Sequence, residues 1–529
     1  MTRQDPAMEQ PTTLRLEISP DDAARLLHHP AVAGPSPARP ATRRTGGVFF
    51  DTADRQLGSA GVTLEVRSAG RRHVQVVRAE GATIDGARAN RAWENPLPSA
   101  EPDPSAIADT DLRRLVTPLP GMRLEPILSL DFRRTTRRLV PEDGQEILLA
   151  VRNGRASGGA ADQPVCEVEL SQKAGPPSRL FDLARAILAD VPLRVTTEAL
   201  ETRLLRQAAG ETPAWRKAVP LDLPAEASVE EALALIFGHC LDHLTDNEPA
   251  TRLGDHPEGV HQMRVALRRL RSALRVFRPI LPADQYRWLD EETRWLTQSL
   301  GDARDLDVFE DEIVGPVAAA FPDEPAFAAL SARLATRRRQ ARAAARQAIE
   351  SGRFTRLLLD VGAWMAARAW RNQPVSETAS QLFQPITGLA TPLLSARFKK
   401  VRKKGRRFAS LTAAERHRLR IAVKKLRYAT DFFSSLYGRK RVRAFISTLQ
   451  KLQDGLGYMN DVTVARTLIE RLEKDAGEAA PAIRQAGAIL LGWHTHAAAG
   501  AAVTLGADVE NLLAGKPFWL TARDEETPC

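Results

Sequence analysis

The segment HQMRVALRRLR at residues 261–271 returns as HRLRIAVKKLR at residues 417–427, a constant offset of 156 residues. Each copy begins with a histidine and carries basic residues at matching later positions. A second block keeps this offset, because LGDARDLDV at 300–308 corresponds to LGYMNDVTV at 456–464. Two blocks in one register indicate an internal duplication.

Both copies predict an amphipathic helix whose polar face is basic. At about 100° per residue, the basic residues of each copy fall on the side of its histidine, and leucine and phenylalanine oppose them. Neither 261–275 nor 417–428 contains an acid, so the cations need carboxylates from other helices or an external anion. The first face carries His261, Arg264, Arg268, Arg271 and Arg275, with Arg269 near its edge, and the second carries His417, Arg420, Lys424 and Arg427.

These faces have two interpretations. One interpretation is anion binding. The guanidinium of an arginine donates two hydrogen bonds to a pair of phosphate oxygens, and lysine adds a mobile charge. Histidine gains a proton when a bound anion raises its pKa. Alternatively, each face is simply solvated and neutralised by salt bridges, which is the usual case for a single basic helix. The repetition of an acid-free pattern favours anion binding.

The charge distribution assigns such binding to the C-terminal part of the 529-residue chain. The formal net charge is +10, of which residues 1–210 supply +1 and residues 211–529 supply +9. A basic balance favours anionic partners such as nucleic acid, a membrane surface or polyphosphate. Aromatic residues make up only 5% of the chain, and no motif for reading nucleic acid is present, so we expect no sequence-specific nucleic-acid partner.

Several features predict a cytoplasmic protein without a membrane partner. The three cysteines, Cys166, Cys240 and Cys529, are far apart and form no metal-binding pair. The first residues, MTRQDPAMEQP, are polar and unlike a signal peptide, and no apolar stretch reaches about 18 residues. The sequence does not indicate an oligomeric state.

The pattern along the chain predicts an α+β multidomain protein. Residues 12–207 are predicted to form a mixed β domain with helices at 21–27 and 178–189. Its β-rich runs, several of which alternate in period two, are separated by glycines and prolines and lie at 48–50, 62–66, 73–77, 146–151 and 164–170. Residues 208–227 contain three prolines and are predicted to be a linker. Ser228 and Glu231 form a capping-box pattern that opens an all-α domain over 228–517, in two similar helical-bundle halves of about 228–375 and 380–517.

The acids of the second repeated block also allow two roles. Asp305 and Asp461 could hold a metal, but no histidine or cysteine completes a site, so a metal centre is not predicted. We expect them to hold basic side chains in place or to cap a helix. Magnesium carried in by a phosphate ligand remains an open alternative.

These motifs resemble a known family. Residues 228–515 resemble the CHAD domain, the conserved histidine α-helical domain, through H-x2-R-V-x2-RR-L-R with L-G-x2-RD, and H-x2-R-I-x2-KK-L-RY with LQD-x-LG-x2-ND. The resemblance implies an all-α fold around a basic cavity that binds inorganic polyphosphate, often at polyphosphate granules. With the neighbouring cations, the predicted polyphosphate-binding residues are His261, Arg264, Arg268, Arg269, Arg271, Arg275, Arg304, Arg397, Lys400, His417, Arg420, Lys424, Lys425 and Arg427.

Residues 12–207 resemble the CYTH domain, the triphosphate tunnel fold, through VFFDT at 48–52, GVTL at 61–64 and CEVEL at 166–170. The resemblance implies an eight-stranded antiparallel β tunnel or barrel, a fold that typically cleaves triphosphate with a divalent metal. The expected E-x-E-x-K strand is missing, because residues 11–15 read PTTLR. Glu65 and Asp131 stand where the family has arginines, and Arg152 stands where it has an acid. The residual tunnel residues are Arg67, Arg78, Arg134, Glu167 and Glu169.

We therefore expect a non-catalytic polyphosphate-binding protein that requires no cofactor. The alternative is a metal-dependent triphosphatase acting through the tunnel domain, for which magnesium would be needed. Charging of His261 and His417 predicts tighter binding of polyphosphate at about pH 6 than at about pH 8.

Overall fold

Alternating apolar residues form the strands of the N-terminal region, as in the first strand, where Leu14, Leu16 and Ile18 are buried. The computed structural model describes residues 12–37, 39–69, 72–84, 87–117, 122–141, 144–160 and 162–520. Pro11 of the missing motif and Cys529 lie outside them. The strands are β1 (Thr13–Ile18), β2 (Ala41–Asp51), β3 (Val62–Ala69), β4 (Arg72–Ile84), β5 (Ala87–Leu97), β6 (Glu125–Leu139), β7 (Glu146–Ser157), β8 (Gln163–Ala174) and β9 (Leu193–Thr196).

The strands form one antiparallel sheet in the order β5-β4-β3-β2-β6-β7-β8-β1-β9. The predicted antiparallel β domain is confirmed, but its details differ from the implied closed tunnel of eight strands. Nine strands are present, and among the described residues β5 and β9 pair on one side only. The cause is β9, which pairs with β1 and so occupies the edge that β1 would need for closure.

Short helices cover this sheet. They are α1 (Ala23–His28), α2 (Pro30–Ala33), α3 (Gln56–Ser59), α4 (Thr110–Val116), α5 (Ser178–Leu188) and α6 (Leu200–Ala208). Leu180, Ala184 and Ile187 recur at helical spacing on α5, and this face is buried in a core with residues of β1, β7 and β8. The predicted α5 helix is therefore anchored by its apolar face.

From Val229 onward the described chain is helical. The helices are α7 (Val229–Asp246), α8 (Glu248–Leu253), α9 (Glu258–Phe277), α10 (Ala283–Ser299), α11 (Gly301–Val308), α12 (Gly315–Ala320), α13 (Ala326–Glu350), α14 (Gly352–Ala366), α15 (Glu377–Ser380), α16 (Ile386–Gly405), α17 (Ala413–Phe433), α18 (Arg439–Lys474) and α19 (Ala480–Ala514). The Ser228 hydroxyl accepts the Glu231 amide at 3.2 Å, and the Glu231 carboxylate accepts the Ser228 amide at 2.8 Å. The predicted capping box is confirmed. Within the described helices, none has both the length and the hydropathy required to cross a bilayer.

The duplication is visible in the order of the helices. At an offset close to 156 residues, α7, α9 and α13 correspond to α16, α17 and α19. The second repeated block differs between the copies. In the first copy the helix is interrupted between α10 and α11, whereas in the second copy α18 continues through the block. After α11 the first copy adds a π-helical segment, Phe309–Val314, a feature often found at functional sites.

Two compact units divide the chain. The first contains residues 1–213 and 350–369, and the second contains residues 214–349 and 370–529. The change from one unit to the other near residue 213 falls within the predicted linker. Residues 214–227 belong to the helical unit, where the amide of Leu223 donates to the Ser435 hydroxyl at 2.8 Å.

The division differs from the predicted first helical half, 228–375, at α14. Leu359 of α14 is fully buried in the core that contains α5 and the sheet. Gly362 allows Phe181 to approach, because a Cβ at this glycine would lie 2.2 Å from the Phe181 ring. Arg185 and Asp360 form an ion pair at 2.9 Å. These contacts make α14 part of the first unit.

Candidate anion-binding cavity

The two histidine-led segments form the middle of α9 and α17, and each helix buries its apolar face. Leu267, Leu270, Leu274 and Phe277 are buried on α9, as are Leu419, Leu426 and Phe433 on α17. Burial of these side chains fixes the rotation of each helix, because it removes apolar surface from water. Most of the basic side chains on the opposite faces are therefore left partly exposed.

A cavity of about 980 Å³ lies in the helical unit. Its walls come from α9, α11, α17, α18 and the π-helical segment, so both halves of the duplication contribute. Eight of the predicted polyphosphate-binding residues line it: His261, Arg264, Arg268, Arg269, Arg304, Arg420, Lys424 and Arg427.

Many of the cavity's nitrogen atoms are buried without a hydrogen-bond partner. Among the described residues this holds for Nδ1 of His261, Nη1 of Arg269 and Nε of Arg264, Arg268, Arg420 and Arg427. A buried donor without a partner costs about 1–3 kcal/mol, and more when it is charged. Such a concentration of unsatisfied donors around one space indicates that a ligand or water supplies the missing acceptors.

Carboxylates also line the cavity, and several stand beside its cations. Asp305 lies 3.6 Å from Arg264, in the positioning role that the sequence predicts. Glu312 lies 3.9 Å from Arg304, and Asp431 lies 4.0 Å from Arg427. Arg268 and Lys424 form no ion pair within the described parts of the chain. These two cations are therefore free to contact an added anion.

Burial and crowding change the protonation of the cavity residues. Burial lowers the pKa of His261 to about 4, and the nearby Arg304, Arg268 and Arg264 add to the effect. Burial, with Arg420 and Arg268, also lowers the pKa of Lys424 to about 7. The pKa values of Asp305 and Asp461 are raised, chiefly by burial. A polyanion that enters the cavity raises the pKa of each of these four groups, so its binding favours proton uptake by them.

Two predicted residues of the basic faces lie beside the cavity rather than in its wall. Arg271 pairs with Asp290 at 3.2 Å. His417 is exposed, and its Nδ1 lies 2.8 Å from Oδ1 of Asn460, which lines the cavity. His417 thus reaches the cavity only through Asn460, whereas His261 contacts it directly.

The remaining four predicted residues, Arg275, Arg397, Lys400 and Lys425, form a separate group. Together with Lys404 we call them the outer cluster. Arg397 donates to the main-chain carbonyl of Lys425 at 2.5 Å. The pKa of Lys425 is lowered by burial and by Arg275, Arg397, Lys400 and Lys404. The predicted set of residues therefore divides between the cavity and a second cationic group.

In the sheet unit, one of the two residual acids, Glu167, is neutralised by arginines. Glu167 on β8 is buried and bonds to Arg152, which also bonds to Glu201 at 2.5 Å. Arg203 stands 3.9 Å from Glu167. Burial raises the pKa of Glu167, and the arginines oppose that effect.

The other residual tunnel residues differ in their contacts. Glu65 on β3 accepts from Arg67 at 3.0 Å and from Arg78 at 3.5 Å. Glu169 is half-buried and accepts from the Ser171 hydroxyl at 3.4 Å. Arg134 on β6 stands directly opposite Arg152 on β7 in the sheet register.

These residues do not fit the divalent metal that the tunnel fold implies. Arg152 already bonds to the buried carboxylate of Glu167, and this bond would have to break before the carboxylate could bind a metal ion. In the described parts of the chain, no group of three or more histidines, cysteines and acids is arranged to hold a metal ion.

Comparison with known proteins agrees with both units. The CYTH domain model matches residues 13–204, and the CHAD domain model matches residues 235–470. The chain is a CYTH–CHAD protein. The predicted order, a CYTH domain followed by a CHAD domain, is confirmed.

Several known proteins are similar to parts of the chain. An inorganic triphosphatase of Haemophilus influenzae is 28% identical over 144 residues, which span 27% of this chain and 40% of that protein. The CHAD domain structure from the plant Ricinus communis is 35% identical, with a TM-score of 0.50, and covers 57% of this chain and 98% of that one. PptA from Streptomyces chartreusis is 18% identical, with a TM-score of 0.41, over 54% of this chain and 100% of that one. The Ricinus structure supports the helical fold of the CHAD domain.

The CHAD cavity contains polar residues that the sequence did not single out. Tyr458 and Asn460 line it from α18, and Glu312 lines it from the π-helical segment. The hydroxyl of Tyr458 lies 2.7 Å from Nδ1 of His494. Tyr458 and Asn460 lie within the repeated block 456–464, so the duplication was a usable signal for them. Glu312 lies outside both repeated blocks.

Proposed function

We propose that the CHAD cavity binds inorganic polyphosphate and that the protein is a polyphosphate-binding protein. The observation that supports this most is the convergence of seven cations and His261 on one cavity, six of them with a buried unsatisfied nitrogen. Arginine forks suit the planar pairs of oxygens that phosphate presents. In cells, we expect the protein at polyphosphate granules in the cytoplasm.

A phosphate chain suits the cavity better than nucleic acid. Proteins that bind single strands without sequence preference stack successive bases on aromatic side chains. The cavity's aromatic residues are Phe309, which is fully buried, Tyr428, which is nearly so, and Tyr458, which is half-buried. One partly exposed ring does not supply the row of stacking platforms that successive bases need. Competition between polyphosphate and duplex DNA at equal phosphate concentration tests this preference, and equal displacement would contradict it.

Salt sensitivity tests the electrostatic basis of the proposal. Long-chain polyphosphate should be titrated into the full-length protein by isothermal calorimetry at increasing salt. By analogy with nucleic acid, neutralising about six phosphates would lower the affinity roughly a thousandfold between about 50 and 200 mM salt. A salt-independent affinity would contradict charge neutralisation as the source of binding.

The affinity should fall as the pH rises above 7. Lys424, whose pKa is about 7, faces Arg420, Arg268, Arg264 and Asp461, and a bound polyanion must raise that pKa. Binding then takes up a proton, so the affinity should fall by about tenfold per pH unit above pH 7. His261 adds proton uptake at lower pH, since its own pKa of about 4 leaves it neutral at pH 6 in the free protein.

Conservative variants isolate the lysine's share of this dependence. Lys424→Arg keeps its charge at high pH and should flatten the profile between pH 7 and pH 9. Lys474→Arg is the matched control, because Lys474 is exposed and lies outside both the cavity and the outer cluster, and it should keep the wild-type slope. Equal slopes in Lys424→Arg and the wild type would remove Lys424 from this role.

A metal-dependent triphosphatase activity of the CYTH domain is the second candidate. The similarity to the Haemophilus triphosphatase favours it, and the arginine contacts of Glu167 and Glu65 oppose it. The test is phosphate release from tripolyphosphate with magnesium or manganese. Phosphate release that disappears in Glu167→Gln would support triphosphatase activity of the CYTH domain. Phosphate release that persists in that variant would show that Glu167 is not required for it.

A further inference from the structure

One wall of the CHAD cavity is an irregular segment. Residues 218–221 line the cavity with four consecutive apolar side chains, whereas the other lining residues come from helical segments of both halves. These four residues belong to a stretch without helix or strand that runs from Arg216 to Leu223, which we call the strap. The strap lies within the predicted linker, so part of that linker is a wall of the cavity.

Two side chains hold the strap at its ends, and we call them the latches. The buried side-chain amide of Asn247 accepts from the Arg216 amide at 2.8 Å and donates to the Arg216 carbonyl at 3.0 Å. The Ser435 hydroxyl accepts from the Leu223 amide at 2.8 Å and donates to the Leu223 carbonyl at 3.3 Å. Each latch therefore binds both main-chain groups of one strap residue.

Between the latches the strap is weakly held. Within the described parts of the chain, no main-chain group of residues 216–223 hydrogen-bonds to another main-chain group. Most of the strap is exposed to solvent, and Val219 is 70% exposed. Segments with few buried apolar contacts and few backbone hydrogen bonds open locally at low free-energy cost. The strap is therefore the wall of the cavity that opens most readily.

The strap stands beside a cavity cation that is almost inaccessible. The main chain of Val219 lies beside the His239 ring, and Arg269 donates to Nδ1 of the same ring at 3.1 Å. Arg269 lines the cavity, yet it is only 7% exposed, and its Nη1 is buried without a partner among the described residues. Movement of the strap would bring this donor within reach of an anion.

We propose that the strap is a gate of the CHAD cavity, which opens to admit a phosphate chain and closes over the bound chain. This inference rests on the proposed function of the cavity. Residues 218–221 carry no charge, so closure of the strap adds no ion pair with phosphate. A ligand shifts an equilibrium only when it interacts differently with the two states. The gate should therefore slow entry and exit of the chain by the same factor and leave the affinity nearly unchanged.

The variant Ser435→Ala removes one latch and leaves every residue of the cavity wall in place. Loss of its two hydrogen bonds should favour the open strap by roughly tenfold. Long-chain polyphosphate is immobilised through a biotinylated end, and full-length protein is passed over it in surface plasmon resonance. The variant should associate and dissociate about tenfold faster than the wild type, with a Kd within about twofold of the wild-type value.

A serine far from the strap supplies the matched control. The half-buried Ser299 lies outside the cavity, and its hydroxyl donates to the Trp295 carbonyl at 3.1 Å. Ser299→Ala removes the same atom as Ser435→Ala and should keep both wild-type rates.

Trypsin measures the opening of the strap without any ligand. Arg216 and Lys217 supply cleavage sites within the strap, and cleavage there follows the population of the detached segment. Cleavage after Lys217, identified by mass spectrometry of the full-length protein, should be about tenfold faster in Ser435→Ala than in the wild type, and unchanged in Ser299→Ala.

The outcomes separate the gate from the proposed function. Unchanged rates of binding and cleavage in Ser435→Ala, or a weaker affinity without faster association, would overturn the gate. If circular dichroism shows that Ser435→Ala misfolds, Pro220→Gly takes its place, because glycine frees the strap backbone and should raise the same three rates. A wild-type protein that does not bind polyphosphate overturns the proposed function, and the trypsin assay then still decides whether the strap opens.

Discussion

Replacing Arg152 by alanine should lower the free energy of unfolding of the CYTH unit by about 3–5 kcal/mol, because the buried Glu167 then keeps only Arg203, 3.9 Å away, as a partner for its charge. The Glu167 side chain is fully buried, and Arg152 joins it to Glu201. The measurement is urea denaturation, with hydrogen exchange on peptides of β7 and β8 to locate the loss in this unit.

A neighbouring arginine supplies the matched control for this prediction. Arg155 lies on the same strand and pairs with Asp162 at 2.7 Å, but both side chains are more than half exposed. Arg155→Ala should therefore cost less than about 1 kcal/mol. Equal losses of unfolding free energy in the two variants would contradict a stabilising role for the buried ion pair of Arg152.

The pH dependence of the Arg152→Ala variant gives an independent check. Without the Arg152 guanidinium, only Arg203 still opposes the effect of burial on Glu167, so its folded-state pKa rises further above the unfolded value. The deficit is then complete above that raised pKa and shrinks as the pH falls towards the ordinary value of a glutamate. A deficit that is equal at pH 5 and pH 8 would show that the loss comes from packing rather than from charge.

The sequence predicted the architecture well where periodicity was strong. The β-rich runs at 48–50, 62–66, 73–77, 146–151 and 164–170 lie within β2, β3, β4, β7 and β8. The position of α14 could not be predicted, because its helical pattern is the same whether it packs on helices or on a sheet. Only the tertiary contacts of Leu359 and Gly362 assign it to the first unit.

For the candidate site, the helical wheel identified the cations but not their grouping. It placed Arg268 and Arg275 on one face of α9. In the structure Arg268 lines the cavity, whereas Arg275 is a neighbour of Lys425 in the outer cluster. The wheel also treated His261 and His417 as equivalent. The structure half-buries His261 beside Arg304 and exposes His417. Such differences arise from packing between helices, which a repeat in one chain does not specify.

Reversing two cavity charges should abolish most of the binding of polyphosphate. Arg268 and Arg420 each hold a buried Nε without a partner, and each is a neighbour of Lys424. A hydrogen bond to a charged group contributes about 1.5–3 kcal/mol, so losing two should weaken binding by roughly 100-fold to 10,000-fold. Glutamate at both positions adds repulsion, so the loss should lie at the upper end of that range.

The decisive measurement compares Arg268→Glu/Arg420→Glu with Arg287→Glu/Arg339→Glu, two full-length variants of equal net charge. Both are titrated with long-chain polyphosphate in one buffer, after circular dichroism has shown that both are folded. The cavity variant should lose at least about 100-fold in affinity, while the surface variant, whose arginines are exposed and outside the cavity, should stay within about threefold of the wild type. Equal affinities in the two variants would contradict binding of polyphosphate in the CHAD cavity.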